Sequence, residues 1–158
     1  MNSLTDKKIS IITACKNRVD ALKISLISWL NFKEIHEVII VDWNSDEPID
    51  YLTKLDPRVK VVRVSDKKYF NQPQPLNIAI NFASGNRILK LDTDYVLNPY
   101  YNFFETYSID DNSFVSGKIP YESPEFWSEE LNCFTIDKMS MTDPQLRDYF
   151  NTYSEYCK

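Results

Sequence analysis

Short apolar runs alternate along this chain with longer stretches in which apolar residues recur at helical spacing. Ile9-Ser10-Ile11-Ile12-Thr13 is rich in β-branched residues and predicts a first strand. From Asn17 to Phe32 the apolar positions Leu22, Leu26, Trp29 and Leu30 share one helical face. Val38-Ile39-Ile40-Val41, closed by Asp42, predicts a second strand buried on both faces, and Val59 to Val64 a third that alternates. Pro75 to Ala83 predicts a second helix, with proline near its start and Gly85 just past its end. Arg87-Ile88-Leu89-Lys90-Leu91 predicts a fourth strand, also buried. Beyond Asp94 the pattern loosens. Asn98-Pro99 can open a helix through Tyr107, Ser113 to Ser116 a short strand, and Tyr121 to Trp127 a loop rich in proline and aromatics. Thr142-Asp143-Pro144 opens a last helical stretch towards Tyr156.

The order strand, helix, strand, strand, helix, strand predicts an α/β fold with a mostly parallel central sheet flanked by helices. Ligands of such sheets bind at the carboxyl ends of the strands. Lys16-Asn17, Asp42-Trp43-Asn44 and Asp92-Thr93-Asp94 all fall at such ends, where one crevice would gather them. Asp92-Thr93-Asp94 carries the most chemistry. In an extended segment alternate side chains share a face, so Asp92 and Asp94 are expected to point the same way. Carboxylates held close together repel and raise each other's pKa unless a cation stands between them. Hard oxygen ligands suit Mn²⁺ or Mg²⁺, and such an ion in turn holds the phosphates of a nucleotide.

Composition narrows the classes. The chain has 158 residues, 43% of them apolar, enough for one domain with a sizeable core, and it shows no internal repeat or linker. A net charge of −5 argues against a general binder of nucleic acid or of anionic membranes. Met1 to Lys8 is polar and has no signal-peptide core, and no run approaches the roughly 20 apolar residues of a transmembrane segment. The three cysteines, Cys15, Cys133 and Cys157, are odd in number and far apart, which fits reduced thiols in a cytoplasmic protein. Cys15 reads as a small buried apolar residue, and His36, the single histidine, as a surface or boundary residue. With only two glycines, Gly85 and Gly117, neither a Rossmann fingerprint nor a P-loop can be written, so a nucleotide must be held another way.

Taken in order, Ser10-Ile11-Ile12-Thr13, Val41-Asp42-Trp43-Asn44-Ser45, the helix Asn77-Ile78-Ala79-Ile80-Asn81-Phe82-Ala83-Ser84-Gly85, and Leu91-Asp92-Thr93-Asp94 resemble the motifs of the family-2 glycosyltransferases of the GT-A fold. The resemblance covers about the first two thirds of the chain. It implies a Rossmann-type sandwich and metal-dependent, inverting transfer of a sugar from a UDP- or GDP-sugar. The acceptor would be a hydroxyl of a glycan, a protein or a lipid-linked molecule. It further implies that Asp42 accepts hydrogen bonds from the base or ribose. The loop Ala14 to Arg18, with Lys16, Asn17 and Arg18, would line the base pocket together with Asn44. Asn77 would reach the donor from the start of its helix or cap it. Asp92 and Thr93 would lie near the ribose and metal, and Asp94 would bind the metal, giving a metal pair of Asp92 and Asp94 in the family's DxD motif.

The chain departs from the family pattern at two places. Trp43 stands where a second aspartate is usual; stacking on the base and plain packing are its two readings, with packing preferred. Inverting members also carry a catalytic carboxylate, often in a Glu-Asp pair, that deprotonates the acceptor hydroxyl. No Glu-Asp pair occurs here, and the chain stops at Lys158, about where the pair is expected after the strand-like Leu131 to Ile136. Glu129, Glu130, Asp137 and Glu155 are the candidate bases. The expectation is a single nucleotide-sugar-binding domain over residues 1–158 that lacks the acceptor and catalytic-base segment. A non-catalytic nucleotide-sugar-binding module is the alternative. A nucleotidyltransferase ranks last, because Ala14-Cys15-Lys16-Asn17-Arg18 has none of the glycines that class carries after its first strand.

Overall fold

β1 (Ile9–Cys15) lies inside a four-stranded sheet, with β2 (Ile35–Trp43) on one side and β4 (Arg87–Lys90) on the other. β3 (Val59–Val64) pairs with the outer side of β2, giving the order β3-β2-β1-β4 with every pairing parallel. The fold class expected from the alternating pattern is therefore the one observed. The computed structural model describes residues 8–100, Phe104, Phe114 and the backbone of 133–135. The chain divides into two units, Met1–Leu22 with Phe32–Thr93 and Lys23–Asn31 with Asp94–Lys158.

In the first unit, β1 and β2 bury residues on both faces, as parallel strands must. Ile11, Val38 and Ile40 point to one face, while Ile12, Ile39, Val41 and Trp43 meet α2 (Pro73–Phe82) on the other. Ala79, where the family motif has glycine, is fully buried in that cluster; a small residue there lets the helix approach the sheet. α2 begins two residues before the expected Pro75, because proline is tolerated in a first turn whose N–H groups have no helical partner. Asn77 therefore lies inside the helix, exposed, and Gln72 takes the capping position. α1 (Val19–Leu30) begins two residues later than expected, because Asn17 sits at φ 55°, outside the helical region. A 3₁₀ turn over Asp50–Lys54, not anticipated, tucks Leu52 into the core.

The amino edge of this sheet is held by Glu37. Its carboxylate accepts from Ser10 Oγ at 2.6 Å, Lys60 Nζ at 2.5 Å, and Ser84 N and Oγ at 2.6 and 2.9 Å. Burial pushes the carboxyl up, but the Lys60, Ser10 and Ser84 bonds more than offset that and hold it at about 2. Gly85 completes the corner, with its N–H on Ser10 Oγ at 2.9 Å. A Cβ there would stand 2.4 Å from the Lys8 carbonyl oxygen and 2.5 Å from Ser10 Oγ. Gly85→Ala should therefore cost about 1–3 kcal/mol, through strain and displacement of β1's start, read as a lower urea midpoint.

In the second unit the rest of α1 and two short antiparallel strands, β5 (Tyr95–Leu97) and β6 (Cys133–Thr135), come together. Trp29, fully buried, donates its indole N–H to the Tyr95 carbonyl at 2.8 Å, and Ser28 Oγ accepts from Leu97 N at 3.1 Å. β5 went unread because three residues carry too little pattern; β6 falls within the expected Leu131 to Ile136. Phe104 is helical, in keeping with the helix expected through Tyr107, whereas Phe114, 88% exposed, lies in no regular element, unlike the strand expected over Ser113 to Ser116. The loop Tyr121 to Trp127 and the last helix towards Tyr156 lie outside the described residues.

Candidate functional site at the carboxyl edge of the sheet

The chain runs from β1 through β2 to β3 in one direction and then places β4 on the far side of β1. The strand order reverses between β1 and β4, and at such a switch point an open parallel sheet has a crevice at its carboxyl edge. The loops after β1, β2, β3 and β4 all emerge at that edge.

The first two of these loops are tied together. Asn17 donates its backbone N–H to Ser45 Oγ at 3.1 Å and its side-chain N–H to Asp46 Oδ2 at 3.0 Å. Asp46 N returns a bond to Asn17 Oδ1 at 2.8 Å. Lys16 donates to the carbonyl oxygens of Trp43 and Asn44, both at 3.3 Å, and of Lys67 at 2.9 Å. An ammonium has three N–H donors, and three carbonyl oxygens lie within hydrogen-bond distance of that of Lys16. Ala14 is half-buried beside them, Asn17 and Arg18 are exposed, and Asn44 is half-buried. Trp43 packs as expected: it is 2% exposed, and its indole N–H donates to the Tyr69 carbonyl at 2.8 Å.

Asp42 has no exposed surface. Its Oδ1 accepts from Ser45 N at 3.0 Å and its Oδ2 pairs with Arg63 at 2.5 Å, while Arg63 also donates to Ser45 O at 2.8 Å. Asp42 and Arg63 are register partners across β2 and β3, so the pair follows from strand pairing. The structure thus brings the loop after β2 to the crevice but turns the Asp42 carboxylate into an internal ion pair. Cys15 lies on the same side; burial pushes its thiol up, and it behaves as the apolar residue expected.

On the other flank of β1, the ladder ends where Leu91 N donates to Ile12 O at 3.2 Å. The expectation of one extended segment through Asp94 does not hold: Asp92 follows the strand and Thr93-Asp94 forms a turn. The pairing of β4 with β1 stops at Lys90 and Ile12, although β1 itself runs on to Cys15. Asp92 is half-buried, Thr93 and Asp94 buried. Asp92 is also not an uncompensated charge, because its Oδ1 accepts from Lys90 Nζ at 2.6 Å and from Gln72 Nε2 at 2.8 Å. Its Oδ2 takes no hydrogen bond from a described residue, which leaves one hard oxygen donor open. Among the described residues no three His, Cys, Asp or Glu side chains gather to cage an ion. That donor set fits an ion such as Mg²⁺, which is held by one or two carboxylates and completes its shell with phosphate and water.

Arg63, Gln72, Asp46 and Lys67 escaped the sequence reading. Only Arg63 had a signal there, since it falls opposite Asp42 once β2 and β3 are paired in parallel. His36 is exposed, as expected. Glu129, Glu130, Asp137 and Glu155 lie outside the described residues. No helix among the described residues is long and apolar enough to cross a membrane.

The glycosyl transferase family 2 model matches residues 10–157. Among solved structures, S. aureus TarS 1-349 is similar with a TM-score of 0.52 and 22% identity over 58% of this chain and 29% of that one. A mannosyltransferase, PcManGT from Pyrobaculum calidifontis in complex with GDP-Man and Mn²⁺, has a TM-score of 0.51 and 17% identity over 58% of this chain and 28% of that one. The likeness is one of fold, the GT-A type, and the chain spans less than a third of either structure. No curated protein matches the chain.

Proposed function

Because this chain belongs to glycosyl transferase family 2, we propose that it binds a UDP- or GDP-sugar at the carboxyl edge of its sheet and serves metal-dependent, inverting transfer of the sugar to a hydroxyl acceptor. The observation that carries this reading is the pair of flanks on β1: interlocked loops at residues 16–17 and 43–46 on one side, and Asp92 with an open oxygen on the other. The base and ribose belong with the loops and the diphosphate with the aspartates. Asp92 and Asp94 are the residues that would hold Mn²⁺ or Mg²⁺. When bound, that ion stabilises the negative charge on the leaving nucleoside diphosphate.

The chain's own contribution is orientation. In this reading Asn17 and Arg18, both exposed, and half-buried Asn44 meet the base and ribose. Asp42, sealed by Arg63, acts in this reading by shaping the loop that follows it rather than by touching the donor. Gln72 opens α2 and steadies Asp92. Asn77, exposed inside α2, ranks below these as a donor contact. Residues 1–158 acting as one nucleotide-sugar-binding domain, and a cytoplasmic setting, belong to the same proposal.

Calorimetry of the full chain with UDP and GDP, each with Mn²⁺ and with a chelator, tests it. Binding that strengthens at least tenfold with the ion is expected, since ion and diphosphate share a site. Equal affinity under both conditions would remove the metal-site reading. Release of sugar from UDP- or GDP-sugars, followed alongside, separates a transferase from a binding module. Tight binding without turnover would favour the module, and turnover would make Glu129, Glu130, Asp137 and Glu155 the carboxylates to replace first.

A further inference from the structure

We propose that Lys16 is a positioning residue which holds the three loops of the nucleoside side in their binding shape, an inference that rests on the donor-binding reading. Lys16 follows β1, and the carbonyls it bonds belong to Trp43 and Asn44 at the end of β2 and to Lys67 after β3. One half-buried ammonium therefore joins three successive loops. Each bond is charge-assisted and so stronger than one between neutral groups, and the three carbonyls match the three donors an ammonium carries.

These loops need such a tie. The non-glycine residues at positive φ among those described are Asn17 at 55°, Asn44 at 54° and Asp66 at 64°, one in each of the same three loops. A left-handed residue other than glycine costs free energy, least for Asn and Asp, and persists where its surroundings hold it. Here the chain has no glycine in any of the three loops to relieve the strain. The Lys16 ammonium, the Asn17–Asp46 exchange and the Trp43–Tyr69 bond are what hold the shape. The first reaches all three loops. Without it the carbonyls of Trp43, Asn44 and Lys67 lose the ammonium they share, Lys67 keeping only a longer bond from Asn44 Nδ2 at 3.5 Å, so the loops sample other shapes and apparent affinity falls with the fraction still competent.

A positioning role and a phosphate contact make different demands on the same variant. Lys16→Met and Lys16→Arg would be compared with the unmodified chain by amide hydrogen exchange, and by calorimetry with UDP, GDP and pyrophosphate in the presence of Mn²⁺. For Lys16→Met, faster exchange is expected in residues 44–46 and 65–70 but not in β1 or β2. UDP or GDP binding should weaken about tenfold, with pyrophosphate binding unchanged. Lys16→Arg, which keeps charge and donors, should recover part of both, and it carries the same comparison if the methionine variant does not fold. Unchanged exchange in those segments overturns the proposal, as does an equal loss of pyrophosphate binding, which would make the ammonium a phosphate ligand. If the unmodified chain bound neither UDP nor GDP, the donor reading would fall instead, and the exchange data would still decide whether Lys16 ties the loops.

Discussion

Asp94→Asn should remove the Mn²⁺-dependent part of UDP and GDP binding, weakening it by roughly a hundredfold or more, while the chain remains folded. Losing a group that merely supports a metal ligand typically costs 10–100-fold, so loss of a carboxylate that holds the ion belongs at or beyond the upper end of that range. The substitution is close to isosteric, which matters because Asp94 is only 9% exposed. It exchanges a charged hard donor for a neutral one and leaves the shape of the turn after β4 alone. Asp92→Asn should act in the same direction. That aspartate also pairs with Lys90, so its loss frees a cation next to the proposed diphosphate site and its effect should be smaller. Calorimetry with and without Mn²⁺, set beside thermal melts of the same samples, measures both. Binding by Asp94→Asn that still responds to Mn²⁺ would show that the ion, if it binds, is held elsewhere.

Glu37 should make the fold acid-sensitive in a specific window. Its ordinary carboxyl value is 4.5, and in the fold it is held at about 2. A group depressed on folding contributes stability that is complete above its unfolded value and is lost as pH falls through its folded value. The contribution is thus fully present above about pH 4.5 and disappears towards pH 2, and the gap corresponds to about 3 kcal/mol. Half-exposed Lys60 supplies part of it, so solvent screening and salt reduce that share. Glu37→Gln removes the titration while retaining a side chain able to bond Ser10 and Ser84. Urea unfolding of both proteins from pH 2 to 7 should show their stabilities converging as the pH drops, with the unmodified chain ahead by up to about 3 kcal/mol at neutral pH. Parallel curves would mean that the carboxylate is not held by these bonds. At neutral pH Glu37→Ala should cost roughly 3–5 kcal/mol, the range for breaking a buried charged cluster. The loss would come from the corner where β1, β2 and the end of α2 meet, far from the proposed donor site, so nucleotide affinity of the folded fraction should stay the same.

The two regions differ in how much of them could be read from residues alone. Ile9 to Thr13 and Val38 to Val41 announce buried strands by composition, and the segments between strands announce helices by spacing, whereas Arg87 to Leu91, which also reads as buried, forms β4 at the end of the sheet with Ile88 45% exposed. Because such a run can only be buried in a sheet covered on both faces, β/α alternation leaves little choice but parallel pairing. The carboxyl-edge location of Lys16-Asn17, Asp42 to Asn44 and Asp92 to Asp94 follows from the same logic, and the family resemblance was legible in those motifs.

What each side chain does at that edge was decided by tertiary contacts. Asp42 and Arg63 are far apart in sequence, and only the register of β2 against β3 makes them partners and withdraws Asp42 from the crevice. The three carbonyls that meet Lys16 become neighbours only when three loops converge, so a residue that looked like a ligand contact is spent inside the protein. The ladder between β4 and β1 ends at Lys90 and the chain turns at Thr93-Asp94, a length that the apolar run does not announce. Strand, helix and edge are properties of periodicity and burial, which a single segment carries. Hydrogen-bond partners depend on which segments lie side by side, and that is settled only when the sheet forms.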